Sequence, residues 1–96
     1  MNTPTLSLER AVQISEQAFV PFSAVVQTHR EDASFALRVL DDAGNCLASL
    51  PHIARVQSAN PLHLAGILEQ LRLEMSKDGH VLSAWSMPFQ ADPDLP

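Results

Sequence analysis

Residues 60–79 constrain the fold of this chain more than any other stretch. Asn60 offers a side-chain oxygen to cap a helix, and Pro61 suits the first helical position, where no N–H is needed. Gly79 supplies a left-handed stop, and Lys77 sits in the last turn, facing the negative end of the helix dipole. Between them Leu64, Ile67, Leu68, Leu71 and Met75 recur at three- and four-residue steps and form one apolar stripe. A helix with one stripe must lie on something, and the preceding residues have to supply it.

They read as a helix followed by a sheet. Ser7 caps a first helix with Glu9 in its first turn. Leu8, Ala11, Val12, Ser15 and Phe19 share one face, with Arg10, Gln13 and Gln17 opposite. Pro21 pushes Val20 out of helical geometry, so this helix ends near Ala18 or Phe19. Residues 1–6 read as frayed. Phe22 to His29 and Ser34 to Leu40 read as strands joined by a polar turn, Arg30 to Ala33. Pairing His29 with Ser34 sets Val26 opposite Leu37, Ala24 opposite Val39 and Thr28 opposite Phe35. That brings the apolar residues of the second strand onto one half-buried face. The other face carries Ser23, Val25, Gln27, His29, Ala36, Arg38 and Leu40.

A hairpin loop over Asp41–Asn45, with Gly44 supplying a positive φ, leads to a third strand from Cys46 to about Leu50. Its facing stays open. A five-residue loop puts Leu47 on the core face; a four-residue loop puts Cys46, Ala48 and Leu50 there. Pro51 marks an end, a bulge or an edge. Ile53 and Val56 are expected to tuck under the domain as the chain crosses to the second helix. After Gly79 the run from Val81 to Phe89 reads as a strand or an extended piece, and residues 90–96 as a mobile tail. The expectation is a single α+β domain spanning residues 1–96: helix, three-stranded antiparallel sheet, helix, plus a short C-terminal strand or extended segment.

Charge and cysteine content narrow the function classes. A net charge of -5 argues against nucleic acid and anionic membranes as partners. The single cysteine, Cys46, allows no internal disulfide and suits a reducing, cytoplasmic setting. The first residues carry no basic patch or apolar run, so no leader is expected, and no apolar run approaches the ~18 residues of a membrane span.

The chemistry-bearing residues do not assemble into a motif. Cys46 and the histidines (His29, His52, His63, His80) lack metal-ligand spacing, although His29 and His52 fall at the same end of the sheet. Asp41, Asp42 and Asn45 do not match an EF-hand loop, and turn chemistry accounts for them. The three glycines are scattered and form no phosphate loop. No catalytic residue, metal or cofactor is assigned, and the reading leans away from an enzyme.

Two likenesses bear on the fold. Gln17-Ala18-Phe19-Val20-Pro21-Phe22, the Asp-Ala-Gly turn between Leu37 and Leu50, and Ile67-Leu68-Glu69-Gln70-Leu71-Arg72-Leu73-Glu74 resemble a small family of pseudomonad proteins defined only as a domain of unknown function. The resemblance spans about residues 7–76; it implies a compact helix–sheet–helix domain and no site. The order helix, three strands, helix is also that of double-stranded-RNA-binding domains, which hold the duplex with a lysine-rich start to the second helix. Here that start is Pro61-Leu62-His63-Leu64-Ala65-Gly66, without a cation to meet phosphate, so RNA binding is rejected.

What stands out is surplus apolar surface. Leu62 and Leu73 fall nearly opposite the stripe of the second helix, with Gly66 beside them. In mid-helix that glycine costs ~1 kcal/mol against alanine. Either Leu62 belongs to a frayed turn and Leu73 is a lone surface leucine, or the three mark a contact face. The outer sheet face adds Val25 and Leu40, joined by Leu50 if the hairpin loop has five residues, and Trp85 lies in the C-terminal run. Val25, Leu40, Leu62, Gly66, Leu73 and Trp85 are therefore the candidate interaction surface. The reading is a non-enzymatic protein-interaction module acting as a homodimer, with a further protein partner allowed. The alternative is a small ligand-binding protein or enzyme with a pocket between sheet and helices.

Overall fold

The computed structural model describes residues 5–85. Its elements run α1 (Leu8–Gln17), β1 (Ser23–His29), β2 (Ser34–Leu40), β3 (Cys46–Ile53), α2 (Arg55–Ser58) and α3 (Pro61–Lys77). The sheet is antiparallel with β2 in the middle, and the chain has an α+β fold.

The helix ends form as their residues dictate. Ser7 Oγ accepts the Arg10 N–H at 3.1 Å at the start of α1. Asn60 Oδ1 accepts the N–H groups of Leu62 and His63 at the start of α3, with Pro61 next to it. At the other end Gly79, at φ +92°, and His80 donate their N–H groups back to the carbonyls of Ser76 and Met75. That pairing satisfies carbonyls the helix leaves free, and the left-handed residue it needs is the glycine.

The β1–β2 register is the expected one, with His29 opposite Ser34 and Val26 opposite Leu37. Phe35, Leu37 and Val39 are buried beneath the helices, alongside Ala11, Ile14 and Ala18 from the α1 side and Leu64, Leu68 and Met75 from α3. The stripe of α1 is centred on Ala11, Ile14, Ser15 and Ala18, leaving Leu8 and Val12 half-buried at its margin. Ser15 is tolerated inside because its hydroxyl donates to the Ala11 carbonyl at 2.8 Å.

β3 resolves its open facing by irregularity. It pairs Leu40 with Cys46, Val39 with Ala48, Leu37 with Leu50 and Phe35 with Ile53, with two register shifts on the way. The first shift leaves Cys46 exposed on the outer face while Ala48 and Leu50 share the side of Val39 and Leu37. Leu50 therefore belongs with the core side.

Two expectations are corrected, and one open alternative is settled. Val56 does not tuck under the domain: it is 78% exposed, on α2, a helix the sequence did not announce. Buried Ile53 makes the anchor alone, and one short turn cannot aim both residues inward. Leu6 is not frayed: it is buried, its N–H donates to the Ala59 carbonyl at 3.0 Å, and its carbonyl accepts from the Arg55 guanidinium at 2.6 Å. Residues 80–85 form an extended segment that joins no strand, docked by the Ser83 N–H on the Val20 carbonyl at 2.8 Å. The rest of the expected run, residues 86–89, the 90–96 tail and residues 1–4 lie outside the described residues.

Candidate interaction surfaces

The candidate residues fall on opposite sides of the molecule. Leu62, Gly66 and Leu73 lie together along the solvent side of α3, Leu62 being 67% and Leu73 50% exposed. Nothing within the described residues explains Gly66, since a Cβ built there meets no atom within 4 Å. The glycine thus keeps open a shallow place on the helix that its own chain leaves unfilled. Beside it runs a groove of about 460 Å³ between α3 and β3, floored by Leu50, Ile67 and Leu71 and edged by His63, Gln70 and Glu74. Ile67 reads from periodicity as a core residue, but it sits at the margin of the stripe and stays half-buried. The sequence signal for this groove was therefore present and assigned inward.

Val25 and Leu40 lie on the far side of the sheet, away from the helices. Val25 is 42% exposed, and Leu40, opposite Ser23 and Cys46, is half-buried. This face holds a hollow of about 530 Å³ with Arg38 near its middle and Gln27 and His29 beside it. It carries no carboxylate, and among the described residues Arg38 has no ion-pair partner.

Trp85 belongs to neither surface. It is half-buried against the core cluster, with the Arg72 guanidinium 5.7 Å from its ring centroid. Arg72 also donates to the Ala18 carbonyl, at the end of α1, and to the Ser83 carbonyl at 2.9 Å. Its planar fork thus ties α1, α3 and the C-terminal segment together, and its cation faces the negative end of α1. Sequence reading missed this role, because nothing local announces that an arginine on a helix will be answered by carbonyls 54 and 11 residues away.

Ser34, Asp32 and His52 approach one another, but in an order unsuited to nucleophilic catalysis. The Ser34 hydroxyl donates to Asp32 Oδ1 at 2.7 Å, and His52 Nε2 stands 3.5 Å from Asp32 Oδ2. A nucleophile needs the imidazole next to the hydroxyl, with the carboxylate behind it. Here the carboxylate sits in the middle, Ser34 is buried, and the His–Asp contact is long and exposed. The Ser34 side-chain bond, then its backbone N–H, then His52 hold the Asp32 carboxyl below its ordinary pKa. The Asp41 carboxylate closes its own loop, accepting the N–H groups of Ala43 at 2.9 Å and Asn45 at 2.8 Å and the Asn45 side-chain amide. Asn45 thus does most to lower the Asp41 pKa, and the oxygens a cation would use are turned to the loop. Among the described residues no three His, Cys, Asp or Glu side chains gather as metal ligands, and no helix is long and apolar enough to cross a membrane.

No family model, no curated protein and no solved structure matches this chain.

Proposed function

We propose that the protein is a non-enzymatic protein-interaction module that acts as a homodimer. The observation that carries the interaction reading is the solvent face of α3, which a second copy or a further protein can cover. Two large exposed leucines flank a mid-helix glycine whose open space nothing in the described chain fills. A glycine there costs ~1 kcal/mol of helix stability, and a partner atom seated against the backbone is the physical return for it.

The groove between α3 and β3 favours one second reading, a small apolar ligand lying over Leu50, Ile67 and Leu71. A native mass spectrum separates the two. The homodimer reading expects twice the 10.5 kDa chain mass with no retained small molecule. A single chain carrying a ligand supports the second reading and removes the first.

A further inference from the structure

The two edges of the sheet are not alike. β3 is a guarded edge: it contains Pro51 and two register shifts, which bend a strand and interrupt any ladder a neighbour tries to build. β1 carries no such device. Its seven residues, Ser23–His29, contain no proline, no bulge against β2 and no Asp, Glu, Lys or Arg. Among the described residues its free side receives no backbone hydrogen bond. An open, regular and uncharged edge is a template for another strand, and folded proteins ordinarily block such edges with charge, proline or a bulge.

Resting on the homodimer reading above, we infer that β1 is the seam between two copies, paired antiparallel with its own equivalent to make one continuous six-stranded sheet. Three features select a second copy as the occupant. Antiparallel pairing of a strand with itself closes under a two-fold axis, so it satisfies both edges at once and goes no further. A chain of net charge -5 repels itself over most of its surface, and β1 is a long stretch where two copies meet without carboxylates facing each other. The flank next to the edge is also unfinished. Between α1 and the end of β1 lies a hollow of about 380 Å³ lined by Leu8, Val12 and Thr28, with Glu9, Gln13 and Arg30 at its polar side, and by no residue of β2, so it opens on the free side. The two-fold runs perpendicular to the sheet and sets the helices of both copies on one face. The second α1 then comes beside the first, over half-buried Leu8, Val12 and Val26. The solvent face of α3 stays clear of this seam and is left for another protein.

Full overlap of the two strands centres the axis on Val26 and sets Val25 of each copy opposite Gln27 of the other. Both are exposed, so their replacement spares the core. The test is light scattering on the full chain, with circular dichroism to confirm folding. Wild type is expected at twice the chain mass. The variant Val25→Lys/Gln27→Lys puts like charges opposite each other and is expected at half the wild-type mass with an unchanged spectrum. The variant Val25→Lys/Gln27→Glu puts opposite charges in register and is expected to return to the dimer mass. A wild-type dimer that survives the double lysine change, or that the charge-swapped variant fails to restore, overturns the seam and leaves the homodimer reading standing. A monomeric wild type overturns both.

Discussion

Asp32 and Asp41 carry the clearest consequence at the scale of single residues. Both carboxyls titrate below their ordinary value because neighbouring N–H and O–H groups donate to them, Ser34 foremost at Asp32 and Asn45 at Asp41. A carboxyl depressed by folding binds fewer protons in the folded than in the unfolded chain. Its contribution to stability is complete above the unfolded value of about 3.9 and disappears as pH falls through the lower folded value. Urea midpoints are therefore expected to fall in acid below about pH 4, and Asp32→Asn/Asp41→Asn to show a shallower acid limb than wild type. An equally steep limb in the double variant assigns acid lability elsewhere. Ala33 is a second local case. It sits in the left-handed region at φ +55° in the turn between β1 and β2. Ala33→Gly relieves that and is expected to raise stability by about 1 kcal/mol in denaturant melts. Gly66→Ala is expected to gain ~1 kcal/mol in the isolated chain, where its methyl group meets nothing, while weakening any contact made by the solvent face of α3.

Among the elements, the capped helices and the β1–β2 hairpin were legible because their signals are local. Asn60, Pro61 and Gly79 act on the backbone beside them, and a two-residue period fixes which side of a strand is buried. β3 was legible only as a choice between two facings, since its bulges answer the packing of β2 rather than its own residues. Leu6 was misplaced for the same reason, being settled by its distant partners Arg55 and Ala59, and Val56 because it lies on the outward side of α2, a turn too short to show an apolar period. The role of Arg72 is of this non-local kind too. Arg72→Ala is expected to cost about 1–3 kcal/mol, because it leaves the Ala18 and Ser83 carbonyls without their donors. It is also expected to shift the emission of Trp85, the only tryptophan, to longer wavelength. Arg72→Lys restores the charge without the fork and should recover only part of both; full recovery by lysine contradicts a forked clamp.

On the scale of the whole molecule, one layer of helices covers one face of a three-stranded sheet. That arrangement leaves three kinds of surface unfinished: the solvent face of α3, the outer sheet face and the β1 edge. The candidate residues named from sequence, Trp85 apart, fall on the first two, since surplus apolar side chains are visible in a periodic pattern. The edge was not visible as a site, because its binding groups are backbone N–H and C=O, and which strand lies outermost is a property of topology. The central claim is that two copies join along β1, and amide hydrogen exchange along Ser23–His29 tests it most directly. In an edge strand alternate amides point away from β2 and exchange freely; in a seam they are bonded. The account predicts that these amides gain protection as protein concentration rises, in step with the dimer mass. Free exchange of alternate β1 amides at concentrations where the chain is fully dimeric would contradict it.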